Sequence, residues 1–598
     1  MKPSKRTLLI TLTIPVCLVT VGVTFASSLA GLAQDREGSR FIDLELHDRF
    51  DTNADDRLDR QERDLAREAI PPKTPRRRRG GRPEMDRGDE TPRPETLPGA
   101  LRIDAADPKS VPRLEGTGLY DRDVLHTLFL EFPEDDWHQE MVTFHGTDVE
   151  VPARLILDGR PIGEVGVSYR GNTSFDMPAK KSFGISIDAY DDDLRLDGLR
   201  TLNLLNANGD QSMMREVIFS NIASEYLPAP RANFIRVVVN GVYLGVYANI
   251  EQINKDFTKI HHDTRKGVRW KVPPDFSGGG ALAYHGDDRT DYQRRYELKT
   301  GSAGAEDWSA LIELCRILKE TPDEKLEETL PKHLDVHEAI AFLAIDNAFV
   351  DSDGYYSRGS DYYIFRDPDG IFHLVHYDNN ETFGGGRGSG GPGGPRGPGG
   401  RRGPEGPEGR GGPPPGFGPD GPPPDLNPSD RRRMQERGMR RPGEAEGGEP
   451  RRRGRGRGPG GGGGGRGGQN GGVTLAPLAF ADDVDTRPVI ARILAVDAWR
   501  AEYLDTLRQI AEVQLDWSNL KPRIDEYRRL IEADVIRDPF HGDRTGFRSA
   551  LYGDEQSLKS FAAQRRRFLL GHPTLQTSLE SDDPAEFHSK EARPDGIR

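Results

Sequence analysis

Cysteine is nearly missing from this chain: 598 residues carry two. Cys17 lies in an apolar N-terminal run, so an exported form without that run cannot make an internal disulfide, and its stability must come from a core or from metal. Cys315 falls among apolar residues at helix spacing in 310–318, which predicts a packed core thiol. Apolar residues are also scarce, 34% against 30% charged, beside 70 Gly and 45 Pro. That balance excludes one continuous globule and predicts sizeable disordered parts. No Gly-rich loop precedes a Lys-Ser/Thr pair, which argues against a P-loop enzyme. The formal net charge of −14 argues against a nucleic-acid surface over the whole molecule, and no nucleic-acid partner is expected.

Among what is there, Lys2, Lys5 and Arg6 precede an uncharged apolar run, 8–25, followed by small residues up to Ala33. This reads as an export signal over 1–33, or as a membrane anchor if uncleaved. The expected location is periplasm, cell surface or extracellular space. In 39–70, Asp51, Asn53, Asp55, Arg57 (through its carbonyl), Asp59 and Glu62 fit positions one, three, five, seven, nine and twelve of an EF-hand Ca²⁺ loop. Asp56 stands where glycine normally turns, and no second loop is found; an acidic linker is the plainer reading. Flanking helices are expected at 41–50 and 63–69. Residues 71–110 read as a Pro/Arg/Glu-rich linker.

The segment 347–384 is the richest in chemistry. Residues 362–365 and 371–377 read as strands joined by Asp367, Pro368, Asp369 and Gly370, which is hairpin turn chemistry. Such a hairpin delivers Asp378 at its exit, beside whatever Asp353 reaches. Two carboxylate-bearing loops can hold a divalent metal and orient a hydroxyl, or can simply be solvated acidic loops.

Asp351, Asp353 and Tyr355, then Asp361, Tyr363 and Phe365, then Asp378, Asn380 and Gly384 follow in order the signature of the spore-coat-protein-H (CotH) kinase family, which this chain resembles. Further blocks agree: 169–174, 178–183, 204–215 and 240–252. The resemblance implies an α+β, atypical protein-kinase-like two-lobed fold with a mostly antiparallel N-lobe sheet and a helical C-lobe. It implies ATP, and Mg²⁺ or Mn²⁺, as cofactors. Asp353 would be the catalytic base and Asp378 the metal ligand, with Asp361 and Asn380 further donors. Asp361 replaces a typical Asn and Asn380 a typical Asp, which leaves metal number and affinity open. Arg170, Lys180 and Lys181 are the cations for nucleotide phosphates, and Glu251 the partner acid. Strand alternation puts Lys181 with Phe183, Ile185 and Ile187, and Lys180 opposite, without choosing between them. Arg215 either binds phosphate or braces Asp210. Lys271 and Lys299 are secondary, more often structural than catalytic.

A helix expected over 336–350 runs into Asp351. Helices are expected also at 210–223 (Ser212 as cap), 308–318, 488–495, 497–515 (Asp497 as cap), 520–534 and 555–570. Residues 384–472 hold 17 Arg against nine acids in a Gly/Pro background, reading as a disordered basic insertion. It either contacts anionic surface polymer or is an expanded loop. The domain plan is thus a kinase-like domain in two parts, 120–383 and 473–571, split by that insertion, with a tail at 572–598. The sharpest reading is an exported metal-dependent kinase acting on Ser or Thr of a secreted or envelope protein; the alternative is an inactive calcium-binding surface protein with a pseudokinase domain. His373 and His376 lie on a strand rather than a helix, which argues against a hydrolase.

Overall fold

The computed structural model describes residues 45–70, 107–384 and 472–577, apart from 56, 172–174, 176–179, 275–277, 301–303 and 541–543. The expected signal, most of the linker and nearly all of the insertion lie outside the described residues.

Seven strands close into a barrel in the order β1-β2-β3-β4-β5-β7-β6. They are β1 His126–Glu131, β2 Val151–Leu157, β3 Arg160–Arg170, β4 Ser182–Ser186, β5 Thr201–Leu205, β6 Ala232–Val239 and β7 Val242–Glu251. All neighbours are antiparallel except β1 and β6, which seal the barrel in parallel. The two-residue period explains the interior: Leu128, Leu130, Phe183, Ile185, Leu202, Leu204 and Val237 share one buried cluster, whereas Phe129 belongs to another on the opposite face. Phe183, Ile185 and Ile187 form the buried face expected of them.

The loop expected to bind calcium lies between α1 His47–Phe50 and α2 Arg60–Ala69, and docks on this barrel. Leu46, Leu58 and Ala66 join the barrel's cluster. Arg63 donates to Glu140 at 2.8 Å on the short helix α3 Trp137–Thr143. Of the first expected helix, His47–Phe50 is helical and 41–44 lie outside the described residues; the second starts earlier, because the Asp59 side chain caps it by accepting from Glu62 N–H.

A second, four-stranded sheet has the order β11-β10-β8-β9, all antiparallel. Its strands are β8 Val268–Val272, β9 Glu297–Leu298, β10 Tyr362–Arg366 and β11 Phe372–His376. Strands β10 and β11 are the expected hairpin, in register Tyr362 to His376. Its turn needs Gly370 at φ 91°, and the Asp367 side chain accepts from Ile371 N–H at 2.9 Å.

Around this sheet pack α4 Arg215–Ala223, α5 Lys255–His262, α6 Ala305–Glu320 and α7 Val336–Phe349. They are joined by α8 Pro488–Ala495, α9 Asp497–Gln509, α10 Trp517–Arg537 and α11 Leu558–Leu570. A single apolar cluster runs through most of them and holds Cys315, fully buried as expected. Helix α9 ends in a π turn, Ile510–Gln514, that fills the remainder of the expected 497–515 helix. Two expected caps shift. Met214 rather than Ser212 occupies the cap position of α4, with Ser212 Oγ accepting from Met214 N–H. Val496 precedes α9, so Asp497 is its first residue and lends its charge to the positive end instead.

Candidate functional site

Helix α7 carries the site to its place. It is capped at the start by Asp335, which accepts from Glu338 N–H, and it stops at Val350, whose φ of 51° is left-handed. A β-branched residue there is strained, so the surroundings must hold it. The holder is Arg565 of α11, a fully buried guanidinium. It donates to Asn347 O at 2.9 Å, Asn347 Oδ1 at 2.6 Å and Ala348 O at 3.3 Å, and to Val473 and Leu475 carbonyls at 2.9 and 2.7 Å. These bonds satisfy carbonyls that the last helical turn leaves orphaned. Burial pulls the Arg565 guanidinium down to about 9.

After Val350 the chain enters the loop of Asp351 and Asp353, then the helical turn Tyr355–Arg358. Arg487 braces that turn from outside, donating to Tyr356 O at 3.1 Å and Ser357 O at 2.9 Å. A Cβ on Gly354 would sit 2.9 Å from Asp346 Oδ1 and 3.0 Å from Asp351 Cγ, so only glycine lets the loop lie on these acids. Asp361, Asp378 and Phe383 also have left-handed backbones, at φ 53°, 61° and 56°. Four non-glycine residues in this conformation around one loop pair mark a site that the fold shapes at a cost in strain.

The acids form one electrostatic group. Burial raises the Asp351 carboxyl well above its ordinary value, and Asp346, Asp361, Glu216 and Asp378 push it further. Asp361 is raised by burial and by Asp378, against the pull of Lys271 and Arg358. Asp378 is raised by burial, with Lys271 and Arg170 opposing. Burial lifts Glu216 of α4 to about 8, with Asp378 adding to it, and lifts Asp346 of α7 to about 7. Glu216 Oε2, Asp346 Oδ1, Asp361 Oδ1 and Asn379 Oδ1 are buried with no hydrogen-bond partner among the described residues. Orphaned, mutually repelling carboxylate oxygens suit a hard divalent cation, which would satisfy and neutralise them together. Asp351 and Asp361 are buried, while Asp353 and Asp378 stay partly accessible.

The structure thus gathers Asp361 and Asp378 with Arg170, and links Asp353 to them through Arg358, which pairs with Asp353. Arg170 also donates to Gln252 Oε1 at 3.2 Å and to Asn203. The other expected cations are committed elsewhere. Lys180 Nζ pairs with Asp538 at 2.7 Å and lies 4.1 Å from the centre of the Tyr247 ring. Lys181 sits over Phe175. Glu251 pairs with Arg231 at 2.8 Å and His261 at 3.0 Å, not with Arg170, Lys180 or Lys181. Its side chain lies at the barrel rim, where β6 begins and α5 ends. Arg215 stands 3.6 Å from Asp210, the bracing role among its two alternatives. Asn380 is half-buried, and it is the neighbouring Asn379 that lies against Glu216.

Lys271 of β8 is the cation that reaches both Asp361 and Asp378, standing 4.5 Å from the centre of the Tyr377 ring. Sequence alone ranked it secondary, because β8 joins the hairpin only in the folded sheet. Glu216 and Asp346 escaped the sequence reading altogether. Their signal was a charged residue inside an otherwise apolar helix, as in α7, where nearly every neighbour of Asp346 is buried.

In the calcium-type loop, Asp51 Oδ1 and Asn53 Oδ1 both accept from Asp55 N–H, at 3.3 and 2.8 Å. Glu62 accepts from Thr52 N–H and Oγ1 at 2.8 and 2.7 Å and from Asp59 N–H at 2.9 Å. The Thr52 hydroxyl chiefly, with these amides, holds the Glu62 carboxyl well below its ordinary value, so it is ionised.

The family described as CotH kinase protein has a model that matches residues 167–409 and 477–569, more than half of the chain. No curated protein matches it.

Proposed function

This chain belongs to the CotH kinase protein family, and from that premise we propose that it is an exported, metal-dependent kinase that moves the γ-phosphoryl group of ATP to Ser or Thr of a secreted or envelope protein. The observation that carries this reading is the convergence of Glu216, Asp351, Asp361 and Asp378, with orphaned oxygens on Glu216 and Asp361, and with Lys271 and Arg170 acting on Asp378.

Asp378, Asp361, Glu216 and Asn379 would hold Mg²⁺ or Mn²⁺. The ion supplies charge neutralisation and alignment of phosphate oxygens. Arg170 and Lys271 bind the remaining phosphate charge from two neighbouring sheets. Asp353, partly accessible, orients the substrate hydroxyl and accepts its proton once Arg358 lets go. The left-handed loop conformations hold these groups in place before substrate arrives. The Asp51–Glu62 loop takes Ca²⁺, since Asp51 and Asn53 already turn an oxygen toward one backbone amide and Glu62 is charged.

A second reading rests on the Arg358–Asp353 pair. A carboxylate neutralised by an adjacent guanidinium is a poor base, which fits a nucleotide-binding pseudokinase.

Purified protein incubated with labelled ATP and Mn²⁺, beside Asp353→Ala and Asp378→Ala, separates these. The kinase reading expects phosphorylated protein from the native chain alone, with a nucleotide-dependent thermal shift kept in Asp353→Ala and lost in Asp378→Ala. A shift without transfer in any of the three selects the pseudokinase. Equal labelling in all three removes both acids from the chemistry.

A further inference from the structure

Away from the acidic group, three side chains from three elements meet on the other side of the hairpin. His262 is the last residue of α5, Glu338 lies in the first turn of α7, and His373 is on β11. One ligand atom from each lies within 4.8 Å of the others. The His262 and His373 rings have centroids 4.6 Å apart. His373 Nδ1 is 2.7 Å from Glu338 Oε2, and its Nε2 is 3.4 Å from Asp367 Oδ2 in the hairpin turn. His262 Nε2 is buried with no hydrogen-bond partner among the described residues.

We propose that His262, His373 and Glu338 bind a zinc ion, with Asp367 on the far nitrogen of His373 holding its ring in place. Two imidazoles and a carboxylate are the borderline donor set that selects Zn²⁺ over Ca²⁺ or Mg²⁺. Tetrahedral zinc with bonds of about 2.1 Å needs ligand atoms about 3.4 Å apart, so side-chain rotation of about 1 Å closes the site. His373 and Glu338 face each other already, and zinc takes the place of the proton they share.

This site is distinct from the phosphotransfer site. His373 lies three residues before the end of β11, about 10 Å along the strand from the end that presents Asp378. The ion fastens the end of α5, the start of α7 and the first residues of β11, whose other end presents Asp378. Its role is therefore structural support for that hairpin, whether or not the protein transfers phosphate.

The test uses the full chain, stripped with a chelator and titrated with Co²⁺ alone as a spectroscopic stand-in for zinc. Nitrogen-liganded four-coordinate Co²⁺ absorbs visible light intensely, whereas an all-oxygen six-coordinate site absorbs weakly. Wild type and Asp378→Asn are expected to give an intense band saturating at one equivalent and abolished by Zn²⁺. His262→Gln is expected to lose the band and at least tenfold of the Zn²⁺ affinity. His262→Gln breaks no hydrogen bond at its Nε2 and leaves both partners of His373, so circular dichroism should match wild type. No intense band in wild type means that His373 is only a proton clamp between two acids, and overturns the proposal. A band that survives in His262→Gln overturns it too.

Discussion

Glu216→Gln should make the metal-free protein more stable at neutral pH, although it deletes a residue from the centre of the site. Glu216 ionises near 4.5 when exposed, and burial beside Asp378 lifts it to about 8 in the fold. Between those values the folded form keeps a proton that the unfolded chain has released. The stability tied to that proton is whole below pH 4.5 and drains away as pH rises toward 8. At about 1.4 kcal/mol per pH unit, the loss by pH 7 is about 3 kcal/mol. Glutamine keeps the shape and does not ionise, so it should recover about that much. Urea unfolding of wild type and variant, at pH 5 and pH 7 in chelator, reads the difference from the midpoints. At pH 5 the two should nearly coincide; at pH 7 the variant should lead. Saturating Mn²⁺ should then reverse the order, because the ion stabilises only a form with the full set of carboxylates. A variant no more stable than wild type at pH 7 in chelator would refute the claim that burial holds a proton on Glu216 in the fold.

Two further outcomes follow from packing. Gly245 has φ +95°, and a Cβ there would lie 2.0 Å from Asp538 Oδ2, the partner of Lys180; Gly245→Ala should therefore cost about 2–4 kcal/mol, read as a lower urea midpoint. Burial pushes the Cys315 thiol far up and leaves it no exposed surface; the peptide carrying it should resist iodoacetamide in native protein and label fully in denaturant, by mass spectrometry.

What could be read from sequence was local. The β10–β11 hairpin was legible because Asp367, Pro368 and Gly370 are turn chemistry between two apolar runs. The strand face of β4 followed from period two, and the burial of Cys315 from the helix spacing of its apolar neighbours. Closure of the barrel was not legible, since the parallel contact of β1 with β6 joins segments whose patterns say nothing of each other. The same limit hid the partners of the charged groups. Lys180 and Glu251 sit near each other in the order of motifs, yet the fold gives one to Asp538 and the other to Arg231 and His261. Asp346 and Arg565 were passed over because a buried charge makes no periodic signal; its reason lies in partners far along the chain.

The ion pair between Lys180 and Asp538 joins residues 358 positions apart. During synthesis the barrel strands therefore emerge long before the carboxylate that completes them. Until α10 follows, an ammonium inside the wall of the barrel has no counter-charge, so early closure is penalised. The late-made helix thus acts as a check on assembly: a nascent or clipped product ending before it would hold a loosened barrel, open to proteases, rather than a stable half-enzyme.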